Sequence, residues 1–403
     1  MSPCLRAEIF AAVSQEQSQP KAQEQASSTT PDAVIHRVID AIDKNYLQAN
    51  RNPLWNITRD RLLAGKYKNS SEAFQGVREQ LPFLEDSELN LLTPDEIKAV
   101  QAEATGEKIG SGLADFCIDM QLESGRARVV TPLVGSPAMK AGIQPGDVII
   151  SINGKPTSDM NHEQVLDSLR AATQEGAKLQ VERGEQSVAA TLHSSAEKLE
   201  AVHSAVERVS GKNIGYIRVA MFTPDVAQKA REGIARLEQS GVEGYVLDLR
   251  NNPGGFLNSA RDLAGFFVSG TLGYKIRSGN QKEGIETSGK PLTARPVAVL
   301  INAGTASAAE FVAGALQGLQ RAVVVGMRSY GRGRGQIFIP IEDGYGMQIP
   351  SVSLTTPNGQ EFKGKGITPD VEMKEPQLPE TQLSGPRDRQ FLRAVASLTS
   401  DQH

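Results

Sequence analysis

From Asp32 to about Ala104 the apolar positions recur at helical spacing. Val34, Val38, Ile39, Ile42 and Tyr46 fall three or four residues apart, which gathers them on one helix face. Asn69-Ser70-Ser71-Glu72 offers an N-cap to a further helix, and Thr93-Pro94-Asp95-Glu96 opens another with proline in its first turn. Residues 32–104 are therefore read as a helical N-terminal domain. Residues 1–31 end in a stretch rich in Gln, Ser, Thr and Glu with no apolar period, and are read as a disordered leader.

After Gly106 the pattern changes to short β-type runs punctuated by glycine and proline. Arg128-Val129-Val130 reads as a strand, Ser136 to Gly142 as a short helix closed by glycine, Val148 to Ile152 as a strand and Asn153-Gly154-Lys155 as a turn. A helix at His162–Ala171 and a strand at Leu179–Glu182 complete a β-rich unit at 105–197. From Asn213 onward apolar strand runs alternate with helical segments. The strands are Ile214–Val219, Gly244–Leu249, Val297–Ile301 and Ala322–Val325; the helices are Asp225–Gln239, Asn258–Phe267 and Ala306–Leu319. Such alternation predicts a largely parallel α/β domain at 198–374 whose ligands sit at the carboxyl ends of its strands. Residues 375–403 are polar and proline-bearing and read as a tail carrying one short helix at Arg389–Leu398.

Composition narrows the chemistry. The chain has 403 residues, with 43 basic against 47 acidic side chains and a formal charge of -4, so no broad positive field attracts nucleic acid. The Gly-Arg alternation of Gly331-Arg332-Gly333-Arg334-Gly335 holds too few basic and aromatic residues to read as an RNA-binding segment. No run approaches the roughly 18 apolar residues of a membrane span. The segment Met1–Ser14 is too short and polar for a complete secretory signal. Cys4 and Cys117 make neither a disulfide framework nor a thiolate metal site, and His36, His162, His193, His203 and His403 are scattered. An enzyme built from this chain is expected to work without cofactor, metal or histidine base.

Two motifs leave the ends of buried strands. Asp248-Leu249-Arg250-Asn251-Asn252-Pro253-Gly254-Gly255 ends in paired glycines that can turn backbone amides toward an anion, although a tight Pro-Gly turn uses the same residues. Asn302-Ala303-Gly304-Thr305-Ala306-Ser307-Ala308-Ala309-Glu310 opens a helix, and a serine at such a junction projects its hydroxyl beside the positive helix N-terminus. An ordinary N-cap serine is the alternative there.

Taken in order with Gly331–Gln336, Thr356-Pro357-Asn358-Gly359 and Gly366-Ile367-Thr368-Pro369-Asp370, these motifs resemble the carboxyl-terminal processing (tail-specific) serine protease family. The run from Gly135-Ser136-Pro137-Ala138 through Gly142–Asp147 to Asn153-Gly154-Lys155 resembles the PDZ domain those proteases carry, and Tyr67 with Ser71–Leu81 is most similar to cyanobacterial and plastid members. The resemblance implies an α/β core of the ClpP/crotonase-like kind, with an inserted or preceding PDZ domain. It implies an endopeptidase acting near the C-termini of precursor or unfolded proteins. Ser307 takes the nucleophile's position. The Ala308 amide with that of Gly254 or Gly255 takes the oxyanion hole, and Gln336 takes the glutamine that orients the base. Gly112, Leu113 and Ala114 lie in the candidate peptide-carboxylate loop, where the neighbouring Asp115 would repel a carboxylate if it faced the groove. The resemblance further implies protein or peptide C-termini as partners, a periplasmic or thylakoid-lumen location and room for peripheral membrane proximity; it gives no oligomeric state.

One position departs from the family. Where its members carry a lysine base, this chain has Arg332. Neutralising a lysine of pKa about 10.4 at pH 7 costs about 4.6 kcal/mol, most of which burial can remove. Arginine, whose pKa lies several units higher still, would cost about 9 kcal/mol, more than the roughly 3 to 5 kcal/mol a general base contributes. Arg332 is thus expected to be a permanent cation. The alternative function is a catalytically impaired scaffold that keeps its peptide-binding surfaces.

Overall fold

A computed structural model describes residues 30–86, 88–97, 116, 118–123, 125–160, 162–172, 176–193 and 199–398. Helices α1 (Pro31–Asn45), α2 (Pro53–Ala64) and α3 (Ser70–Gln80) each begin with proline or serine behind a polar cap. The Thr30, Asn52 and Asn69 side chains accept from amides inside the first turn, satisfying donors the helix itself leaves free. Their inward faces bury Val34, Val38, Ile42, Trp55 and Phe74 together with Met347 and Ile349 from far along the chain. The helical segment is therefore fused to the core. Strand β1 (Asn90–Leu92) makes the same join by pairing antiparallel with β16, a strand spanning Gly346–Thr355.

Next comes a six-stranded antiparallel sheet ordered β2 (Ile118–Glu123), β3 (Arg126–Pro132), β4 (Val148–Ile152), β6 (Ala177–Arg183) and β7 (Gln186–Leu192), with β5 (Lys155–Pro156) paired to β4 off this path. Helices α4 (Pro137–Lys140) and α5 (His162–Ala171) belong to the same unit, whose own core includes Ile118, Met120, Val129, Ile149, Val165 and Leu179. Because β1 pairs with the core before this unit begins, the unit is inserted rather than merely preceding.

The core sheet is ordered β17 (Val371–Glu372), β14 (Ala322–Gly326), β13 (Val297–Ile301), β10 (Gly244–Asp248), β9 (Lys212–Val219) and β8 (Val202–Val209). Every pair is parallel except β8 with β9. Alternate side chains of the central strands face two cores, as expected when helices cover both sides. Leu247, Val299 and Ile301 pack with α6 (Val226–Gln239), α7 (Leu257–Gly265) and α8 (Ala308–Gly318), whereas Val246, Ala298 and Leu300 pack with α9 (Arg389–Ser397). The polar tail expected from the sequence thus ends in a helix packed on the core. Phe391, Ala394 and Val395 recur at helical spacing and supply its buried face.

A second antiparallel sheet, which strand-helix alternation did not announce, contains β11 (Thr271–Ile276), β12 (Lys282–Glu286), β15 (Arg334–Pro340) and β16. Since β10, β13 and β14 run parallel, the loops leaving Asp248, Ile301 and Gly326 gather at one sheet edge, where such folds place their chemistry.

Candidate active site

The loop after β10 is fixed from beneath by a buried charge cluster. Asp248 is completely buried, and Arg250 reaches back to it with Nε and Nη2 while gripping Asp388 with Nη1 at 2.9 Å and Nη2 at 2.6 Å. Burial disfavours both charges, yet each offsets the other's cost: the Asp248 carboxyl is held below its ordinary range and the guanidinium above. Beyond it the chain turns through Asn251, at a φ of 57°. Its amide donates to Asn302 Oδ1 at 2.9 Å, and Asn302 Nδ2 donates back to Asn251 Oδ1. Asn252 carbonyl accepts from Ala306 N–H at 2.8 Å, so the two motif loops are sewn together.

Gly254 and Gly255 have φ of 107° and 137°, a region costly for any side chain. A β-carbon on Gly254 would also lie 2.6 Å from Ser307 Cβ and 2.9 Å from Ala308 N. The glycine therefore lies directly against the serine. Its own amide is occupied, donating to Asn252 Oδ1 at 2.8 Å. The amides of Gly255 and Ala308 have no acceptor among the described residues. These two, on either side of Ser307, are the donors left for an oxyanion.

Ser307 precedes α8 at φ 55° and ψ −121°, whereas an ordinary N-cap sits in the extended region. A non-glycine residue there is strained by about 1–3 kcal/mol, and the turn exposes the side chain at the sheet edge in the manner of a nucleophile elbow. Thr305 helps to hold the turn: its hydroxyl donates to Leu249 carbonyl at 2.8 Å and its carbonyl accepts from Tyr330 N–H at 2.9 Å.

The 329–332 loop is anchored to the same helix. Glu310, wholly buried in the first turn of α8, accepts from Ser307 N–H at 2.9 Å and Arg332 N–H at 2.7 Å on one oxygen. Nucleophile and base position thus share an anchor. The Arg332 side chain, however, turns to the inserted unit, where Nη1 donates to Asp119 of β2 at 2.7 Å with both side chains almost fully buried. It also lies over the Tyr330 ring, 5.4 Å from its centroid. Burial works against the guanidinium charge, but the Asp119 carboxylate outweighs it and raises the pKa further. Tyr330 donates toward Gln121 and Glu123 of the same strand. Residues 119, 121 and 123 therefore meet the loop on one face of β2, while Ile118 and Met120 enter the core behind.

Gln336 lies at the start of β15 and accepts from Gln348 Nε2 at 2.7 Å; its own Nε2 is buried without a hydrogen-bond partner. Gln336 is not among Arg332's described partners. Arg334 forms a two-pronged pair with Asp86 at 2.6 and 2.7 Å, from the helical segment. Lys363, distant in sequence, joins Arg332, Arg334, Asp86 and Glu123 around a cavity of about 420 Å³. Burial and the Arg334 cation lower its pKa.

The fold thus brings together Ser307, Ala308, Gly254, Gly255 and the Arg332 backbone. Gly112, Leu113 and Ala114 lie outside the described residues. Sequence reasoning missed Asp119, the pairing partner of Arg332, and gave Glu310 no role. The hydrogen-bonding residue Glu310 closes the Gly304–Glu310 motif and was visible there; Asp119 carried no local signal. Among the described residues no acidic, histidine or cysteine cluster has the makings of a metal site, and no helix is long and apolar enough to cross a membrane.

Residues 213–373 match the model of peptidase family S41, and 128–183 match a PDZ domain. The chain is 31% identical over 363 residues to the carboxyl-terminal-processing protease of Synechocystis sp., covering 89% of this chain and 84% of that protein. Against the protein of the same name from Picosynechococcus sp. it is 31% identical over 364 residues, with 90% and 86% covered. The solved photosystem II D1 C-terminal processing protease superposes with a TM-score of 0.77 at 25% identity, covering 93% of this chain and 98% of that one. With the strained serine, the paired glycines and the inserted PDZ unit all in place, the chain belongs to the carboxyl-terminal-processing protease family of S41 peptidases.

Proposed function

We propose that this chain is a serine endopeptidase that cuts near the C-termini of precursor or unfolded proteins. The observation that carries the reading is Ser307, strained and flanked by the unpaired Gly255 and Ala308 amides. Ser307 Oγ attacks the scissile carbonyl carbon, the two amides receive the charge that develops on its oxygen, and the peptide C–N bond breaks to leave an ester on Ser307. Water then hydrolyses the ester. Arg332, a buried cation paired with Asp119, accepts no proton, so the serine proton passes to solvent and the leaving amine takes a proton from solvent. Without a general base, turnover falls about 10²- to 10⁴-fold below that of a lysine-bearing site. The comparisons lend nothing to a scaffold without turnover.

Peptide capture falls to the PDZ unit. Strand β2 stands at the edge of its sheet, the arrangement to which an extended peptide adds by backbone pairing. An exported location, in a periplasm or thylakoid lumen, belongs to the same proposal and rests on the resemblance alone; cell fractionation tests it. For the activity, an unfolded polypeptide is incubated with the full chain and with Ser307→Ala. Loss of cleavage in the variant, with products shortened from the C-terminal side, is expected. Equal cleavage by both would sink the assignment of Ser307.

A further inference from the structure

Glu310 is the third residue of α8, where a carboxylate is favoured by the helix N-terminus, but its surroundings exceed what a cap requires. It is wholly buried, and both oxygens are fully used. Oε1 accepts from Ser329 Oγ at 2.5 Å and Gly331 N–H at 2.7 Å; Oε2 accepts from Ser307 N–H at 2.9 Å and Arg332 N–H at 2.7 Å. Four donors meet the roughly four lone-pair positions of an ionised carboxylate. Three of them are backbone amides, which cannot reverse direction. Ser329 is constrained as well, because its oxygen accepts from Ile367 N–H at 2.6 Å.

We propose that Glu310 is a positioning residue that acts through its charge, holding the Ser307 turn and the 329–332 loop in one register and loosening that register when it takes up a proton. The role rests on the protease reading, since it deepens the same site. No charged side chain faces the carboxyl among its described partners. Of the groups on the packed loop, the Arg332 guanidinium is turned to Asp119 and the Tyr330 hydroxyl to Gln121 and Glu123. The donors favour the charged form while burial opposes it, and burial dominates, pushing the carboxyl up to about 7. Protonation therefore falls in the neutral range. It would replace charge-assisted hydrogen bonds to all three amides by neutral ones about half as strong.

The test combines two measurements on the full chain. In the first, kcat and KM for an unfolded polypeptide are followed from pH 5.5 to 9 for the wild type and Glu310→Gln, which keeps the shape and removes the charge. The expected wild-type kcat falls at least fivefold from pH 8 to pH 6 with KM within twofold, and the Gln variant is at least twentyfold slower at pH 8 with no such limb. A purely structural role would slow the variant yet leave the limb, which would overturn the proposal. The second measurement needs no turnover: amide exchange of the wild-type segment 327–334, corrected for the intrinsic pH dependence of exchange. Opening at least fivefold more frequent at pH 6 than at pH 8 is expected, and equal opening overturns the proposal even if Glu310→Gln does not fold. A wild type without Ser307-dependent cleavage would defeat the protease reading, leaving exchange to decide on Glu310.

Discussion

If the Asp119–Arg332 pair is what keeps the base position charged, replacing arginine by lysine alone will not restore a base. In Arg332→Lys the ammonium replaces the guanidinium beside a buried carboxylate that sits 2.7 Å from its present partner. An opposite charge at that range favours the charged lysine and opposes the burial that would otherwise lower its pKa by up to 3–5 units. Removing the carboxylate as well, in Asp119→Asn with Arg332→Lys, leaves burial unopposed. The lysine is then largely neutral near pH 8, able to take the Ser307 proton for the 10²- to 10⁴-fold that general-base catalysis supplies. The single lysine variant should stay within tenfold of the wild type in kcat, and the double variant should exceed it at least a hundredfold. Stability provides a second reading. Asp119→Asn alone strands a buried guanidinium that cannot discharge, at a cost of about 3–5 kcal/mol, whereas a lysine escapes most of that cost by losing its proton. Urea unfolding should therefore rank the double variant as more stable than Asp119→Asn. The reasoning fails if Arg332→Lys alone is as active as the double variant, or if Asp119→Asn raises activity while arginine remains.

Two further outcomes follow from the packing. Gly254→Ala would place a β-carbon 2.6 Å from Ser307 Cβ and 2.9 Å from the Ala308 amide nitrogen at a φ of 107°, displacing that oxyanion donor, so kcat should fall about 10²- to 10³-fold, the loss typical of one such donor; activity within fivefold of the wild type would show that the glycine does not shape the site. Asp388→Ala removes both carboxylate contacts to buried Arg250 and the cap that accepts Phe391 N–H, which should lower unfolding stability by about 3–5 kcal/mol; a loss under about 1 kcal/mol by urea titration would show that α9 is not fastened through this residue.

What could be read without coordinates was local. Val297–Ile301 is an unbroken apolar run and Ile214–Val219 is one interrupted by Gly215 and Arg218, and the fold uses both as central strands. Ser307 stood out because a glycine- and alanine-rich turn followed one such strand. The partners of Arg332 were beyond that kind of reading: Asp119 lies 213 positions earlier, in a strand of another domain, and only tertiary packing brings the two together. The amide arrangement was half legible, since paired glycines announce available N–H groups, but that Asn252 claims the one on Gly254 depends on a side-chain rotamer. For α9 the helical spacing was visible while its destination was not. Charged and polar neighbours disguise a short amphipathic helix as tail, although Phe391, Ala394 and Val395 are buried against the core sheet. Strand β16 was hidden for another reason: although it is buried along its whole length, its alternating runs Met347-Gln348-Ile349 and Val352-Ser353-Leu354-Thr355 are split by Pro350 and Ser351, and a proline inside a run argues against a strand.

Covalent chemistry at Ser307 is what separates a working peptidase from an inert relative. Acid-quenching a reaction between the full chain and a peptide ester, then mapping the protein by mass spectrometry, should show a single acyl group on Ser307. The group should accumulate because deacylation also lacks a general base, and it should be absent from Ser307→Ala. Continued cleavage with no acyl group on Ser307, or with the group on another residue, would contradict it.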